Sequence, residues 1–170
     1  MNGIKMYAMM TLFIILLLFH AAPIQAAPQD EVAGDTRCPV CGMFVAKYEN
    51  WLAQIRLADG EVLFFDGVKD LLVFHFHPEK YGKAAGSDIR EIWVKDYYTL
   101  SWIDGRQAFY VIGSDVYGPM GKEFIPFASR DAAENFKQDH KGEKILVFDE
   151  VTDDLVQSLR AGARMHHGVK

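Results

Sequence analysis

The stretch "WLAQIRLADGEVLFFDGVKDLLVFHFHP", residues 51–78, decides the fold. "WLAQIRLA" alternates in part, Asp59-Gly60 is a strong hairpin signal, and "EVLFF" follows it, so two antiparallel strands are expected. Asp66 stands where a helix N-cap belongs, ahead of "GVKDLLVFHFH", and Pro78 closes the helical segment. After a loop containing Gly and Lys comes "IREIWVKDYY", whose β-branched and aromatic residues predict a strand. The order is strand, strand, helix, strand.

The same order recurs downstream. "AFYVIG" and "EFIPF" read as strands, Ser129 as the N-cap of a helix over "RDAAENFKQDH", and "EKILVFD" as a closing strand. Setting Phe65 on Phe127 also puts Glu61 on Glu123, Leu63 on Ile125 and Phe74 on Phe136, all at an offset of 62. The amphipathic "VTDDLVQSLRAGARMHH" predicts a C-terminal helix. The expected fold is α+β, with two tandem ββαβ modules. The first spans 51–104 and the second, carrying the C-terminal helix, spans 105–160; a hinge lies near "SWIDGRQ" and a flexible tail covers 161–170. One hairpin departs from the plan. "VYGPMGK" (116–122) sits where a two-residue turn would suffice, and Gly118 and Gly121 bracket Pro119 and Met120. That pattern predicts a stiff loop showing a methionine to solvent at its tip. The alternative role for Met120 is core filling.

At the N-terminus Lys5 precedes an apolar run from Met6 to Phe19 and the small residues of "PIQAAPQD". These are the three parts of a secretory signal peptide over 1–26, cut near Ala26 or Ala27. The run falls short of the roughly 20 residues that span a bilayer. An uncleaved anchor is the alternative. No cysteine stands at the end of the apolar run, so the expectation is a periplasmic protein with no lipid anchor. Removing Lys5 takes the formal charge from −5 to −6, and the remaining Lys and Arg are scattered, which excludes nucleic acid as an expected partner.

The segment 27–50 carries "CPVCGM", residues 38–43, with the chain's two cysteines and Met43. One pair is too few to staple a chain of this length, and outside the cytosol two thiols drift to a disulfide unless kept reduced or held by metal. Three chemistries remain open. A thiol–disulfide oxidoreductase using Cys38 and Cys41 needs its first cysteine at a helix N-terminus after a buried strand, whereas "APQDEVAGDTR" precedes it here. A structural zinc site needs a second ligand pair; His75 and His77 are one residue apart, so on a helix they point in different directions, His75 onto the apolar face and His77 into solvent. Cu(I) favours thiolate and thioether ligands. Gly42 lets the backbone turn between Cys41 and Met43, and Met120 offers a third sulfur.

"CPVCGM", "FFDGVKDL" and "GSDVYGPMGKEFIPF" closely resemble the NosL family of exported copper-binding proteins, over about Cys38 to Phe148. The resemblance implies a two-module ββαβ fold similar to that of organomercurial lyase. It implies a non-enzymatic role, Cu(I) delivery to nitrous oxide reductase or its assembly machinery, with transient contact to a membrane complex. The ligand candidates it carries over are Cys41, Met43 and Met120; Cys38 either joins them or pairs with Cys41. Two departures stand out. Many members are tethered through an N-terminal cysteine that this chain lacks, and some carry a His where this chain has Lys122. His166 and His167, after Met165, would compensate or belong to the tail. The lyase likeness also raises carbon–metal bond cleavage, which needs an acid between two thiols; the sequence marks none, because Asp66 reads as a helix cap.

Overall fold

The computed structural model describes residues 27–83 and 88–166. The signal peptide expected over 1–26, His167, and the side chains of Met165 and His166 lie outside what is described. Strands β1 (Ala53–Leu57) and β2 (Val62–Phe65) form the expected hairpin, closed by the Gly60 amide on the Leu57 carbonyl at 3.0 Å and by the Asp59 carboxylate on the Glu61 amide at 2.9 Å. Helix α1 (Val68–Phe76), β3 (Ile89–Lys95) and β4 (Trp102–Asp104) follow. Then come β5 (Phe109–Ile112), β6 (Ile125–Phe127), helix α2 (Arg130–Asp139), β7 (Lys144–Val147) and helix α3 (Asp153–His166).

Two antiparallel sheets result, in the orders β2-β1-β3-β4 and β6-β5-β7. The molecule is thus a mixed α/β fold with antiparallel sheets. β1 alternates only in part because both its faces are covered. Gln54 is buried, and its amide exchanges two 3.0 Å hydrogen bonds with the Gln29 backbone, which lies across the sheet. On the other face Ile55, Leu71, Phe74 and Ile92 belong to a core that also takes Tyr110 and Leu146 from the second sheet, Phe124 from just ahead of β6 and Val156 from α3. The opposite face of the second sheet packs Val111, Ile125 and Phe127 on Ala133 and Phe136 of α2.

Three expectations are corrected here. "SWIDGRQ" is no free hinge: Trp102–Asp104 is β4, paired with Trp93–Lys95 of β3. Just past β3, buried Asp96 accepts the amides of Tyr98, Thr99 and Ala128, and the Tyr97 amide reaches the Pro126 carbonyl at 3.0 Å, so the end of β3 is sewn to β6. His77 is not simply solvated; it lies 2.7 Å from Asp153 and ties the end of α1 to the start of α3. Met120 is half-buried rather than displayed, although its loop is as stiff as expected, with the Gly118 and Gly121 amides and carbonyls bonded to each other at 2.9 and 3.0 Å.

Candidate metal centre

The N-terminal segment closes on itself around its two cysteines. The Cys38 amide donates to the Met43 carbonyl and the Gly42 amide to the Cys38 carbonyl, each at 2.9 Å, while Arg37 and Phe44 bridge across. Gly42 has φ +79°, a conformation that side chains disfavour, and this is the turn that swings Cys41 back over Cys38. Arg37 braces it, with Nη1 on the Gly42 carbonyl at 2.8 Å and its guanidinium 3.9 Å above the Phe44 ring. Both cysteines are free thiols; Cys38 is buried and Cys41 half-buried.

The partner half comes from the start of α1. Asp66, two residues ahead of the helix, and Asp70, in its first turn, both reach the cysteines. The Cys41 thiol donates to Asp66 Oδ1 at 3.2 Å and the Cys38 thiol approaches Asp70 Oδ2 at 3.6 Å. One ligand atom from each of these four residues lies within 4.8 Å of the others. Asp66 therefore does not cap α1, and the acid that the sequence failed to mark beside the thiols is present twice. Gly67 is the N-cap instead, and the Lys69 amide donates to Glu123 Oε1, 2.5 Å away, just ahead of β6.

This exchange depends on a close approach. A Cβ at Gly67 would lie 2.5 Å from Glu123 Oε2. Gly67→Ala is expected to push Glu123 off the helix end and destabilise the protein by about 1–3 kcal/mol, read as a lower urea midpoint; an unchanged midpoint would mean that the carboxylate adjusts freely and caps nothing. Lys69 completes the link. Its side chain is buried, and Nζ donates to the carbonyls of Met120 at 2.7 Å and Lys122 at 2.6 Å. The "GPMG" loop is thereby pinned beside the first turn of α1, next to the residue that carries Asp70.

The electrostatics keep the proton on the Cys41 sulfur. The Cys41 thiol is pushed well above its ordinary value, chiefly by its hydrogen bond with Cys38 and then by burial, while the Met43 amide pulls the other way. Burial also raises Asp70. Of the residues singled out in the sequence, Cys38 and Cys41 come together, Met43 follows on the same turn, and the Met120 loop is drawn to the same helix end. His75 takes no part. Its ring packs edge-on against Phe76 and Phe148, burial lowers its pKa, and Nδ1 has no partner among the described residues. Asp66, Lys69, Asp70 and Glu123 were missed. The available signal was charge inside an otherwise apolar helix, "VKDLLVF".

A family model described as NosL matches residues 28–156. The copper-binding lipoprotein NosL of Achromobacter cycloclastes is 32% identical over 141 residues, covering 76% of this chain and 69% of that protein. The copper-binding lipoprotein NosL of Stutzerimonas stutzeri is 28% identical over 180 residues, covering 99% of this chain and 91% of that protein. Among solved structures, the copper chaperone NosL from Shewanella denitrificans superimposes with a TM-score of 0.65 at 25% identity, over 78% of this chain and 99% of that one. These names correct the expected localisation. Both curated relatives are lipoproteins, held by a lipid anchor, so the expectation of a periplasmic protein without one is withdrawn. It rested on a cysteine not found at one position, and an absence places nothing.

Proposed function

This chain belongs to the NosL family, and from that premise we propose that it binds Cu(I) and delivers it for maturation of the copper centres of nitrous oxide reductase. The ligands are Cys41, Met43 and Met120, with Cys38 beside them. The observation that carries this reading is the convergence of two free thiols and a lysine-pinned methionine loop on one helix end. Thiolate and thioether sulfurs select a soft monovalent ion, and a site with few ligands on a half-buried rim gives its ion up readily, which suits a carrier rather than an enzyme. The partner is the reductase or its assembly machinery, met through transient contact with a membrane complex. The relatives support this reading, two named for binding copper and one named a copper chaperone.

The competing reading, a thiol–disulfide oxidoreductase, fits less well. Cys38, the cysteine that would attack, lies in a closed turn followed by a 3-10 segment at Val45–Lys47 rather than at the N-terminus of a helix that follows a buried strand. We also read the two sheets as one ββαβ plan used twice, on the organomercurial-lyase-like pattern. In both, the first strand is central, and Ile55 faces Leu63 and Ile92 as Val111 faces Ile125 and Ile145.

Competition titration of the reduced protein against a Cu(I) chelator should give about one Cu(I), bound far more tightly than Zn(II). Zinc binding as tight as copper binding would sink the proposal. Met120→Leu keeps volume and apolarity, so folding should be nearly unchanged, while Cu(I) affinity should fall roughly tenfold or more, about 1.4 kcal/mol. A variant that keeps the full copper-induced rise in melting midpoint would mean that Met120 is ordinary packing.

A further inference from the structure

Lys69 is out of keeping with its surroundings. It stands in the first turn of α1, 1% exposed, in a helix whose other buried residues include Val68, Leu71, Leu72, Val73 and Phe74. An aliphatic side chain would be buried there at less cost than an amine, whose desolvation has to be offset by hydrogen bonds. What an amine supplies and a hydrocarbon does not is direction. Nζ donates to the carbonyls of Met120 at 2.7 Å and Lys122 at 2.6 Å, the residues on either side of Gly121. Gly121 has φ +87°, so the loop turns at the residue type with the most backbone freedom. Holding both flanking carbonyls on one nitrogen removes that freedom. The base of the loop is fixed to the same helix end, since Glu123 accepts the Lys69 amide and lies against both Gly67 and Gly118.

The cysteine turn takes its place from the same stretch of chain, through Asp66 and Asp70, which precede and follow Lys69. The start of α1 thus sets two sulfur-bearing segments that lie far apart in the sequence. From this geometry we infer that Lys69 is a positioning residue of the copper site: by fixing the Met120 carbonyl, and with it the direction in which the Met120 side chain leaves the backbone, it presets the thioether toward Cys41 and Met43 before the ion arrives. The inference rests on the copper reading above and deepens it. Lys69 is no ligand, because its donors are turned to carbonyls; it acts through Met120. A loop already held in place loses little freedom when Cu(I) binds, so little of the affinity of its thioether is offset by ordering.

A double-mutant cycle between Lys69→Leu and Met120→Leu tests this on the full reduced chain, with Cu(I) affinity read by chelator competition. Lys69→Leu alone should weaken Cu(I) binding at least about fivefold, and about twofold or less where Met120→Leu is already present, because a thioether that is gone cannot be misplaced. Copper-edge X-ray absorption should show Lys69→Leu losing one sulfur neighbour, as Met120→Leu does, a change that a general loosening of the fold would not produce. Wild-type affinity in Lys69→Leu overturns the inference, and so does a loss of equal size in both backgrounds. In either case a Met120→Leu variant that itself binds more weakly than the wild type leaves the copper reading standing. A Met120→Leu variant that binds as the wild type does overturns both. Melting curves of the metal-free variants establish that each is folded, and Lys69→Gln, whose side chain is shorter, replaces Lys69→Leu with the same expected pattern if the latter is not.

Discussion

Glu123→Gln is expected to remove a loss of stability that the wild-type protein shows as pH rises from about 5 to about 8. Glu123 is 3% exposed, between Gly67, Gly118 and the backbone of Lys69. Burial pushes its carboxyl from 4.5 up to about 8, outweighing the Lys69 ammonium and the amides of Phe124 and Lys69, which favour the charged form. The sign follows from where the proton is held. Between the two values the native state keeps it and the unfolded chain does not, so this contribution is complete below about 4.5 and is lost as pH passes through about 8. Within that window each pH unit costs about 1.4 kcal/mol, several kcal/mol in all. Gln copies the neutral acid. Urea denaturation across the range should therefore find the two proteins matched near pH 5 and the variant the more stable near pH 8.5. Parallel curves would mean that Glu123 is ionised in the native state throughout, with Lys69 as its counter-charge.

Glu123 also marks the boundary of what the sequence could disclose. The offset of 62 aligns it with Glu61, and the strand registers agree with that offset, since Phe65 and Phe127 both face the first residue of their central strands. Yet Glu61 lies on the surface beside Lys83, whereas Glu123 is buried and serves α1, the helix that follows the first hairpin. Local pattern fixes strand order and register because both depend on alternation and turn chemistry nearby. Burial depends on which surface arrives from elsewhere in the chain. Ser129 caps α2 as read, accepting the Ala132 amide at 3.2 Å, because no distant group competes for that helix end. Asp66 carries the same local signal and does something else, because Glu123 arrives first. Cys38, Cys41 and Met43 were legible as a group because they are contiguous; Asp70 and Lys69 were not, because nothing within "VKDLLVF" says that its charges face other charges rather than water.

Cys41→Ser should lower Cu(I) affinity by at least about a hundredfold, about 2.8 kcal/mol, the largest effect of any single change at the copper site. A serine hydroxyl is hard and keeps its proton, so it substitutes for a thiolate in size but not in affinity for a soft ion. Cys41 is also the better placed sulfur: it is half-buried at the open side of the turn, accepts the Met43 amide, and is followed at once by the Gly42 turn that brings Met43 round. Cys38 is enclosed, with its thiol against Asp70, and Cys38→Ser should cost Cu(I) binding far less. Neither serine variant nor the wild type should reduce insulin catalytically, since Cys38, the sulfur that would attack, is buried in a closed turn and starts no helix. Chelator competition on the two variants decides the ligand set. Equal losses would make both sulfurs copper ligands and replace the one-thiolate, two-thioether site with a two-thiolate one.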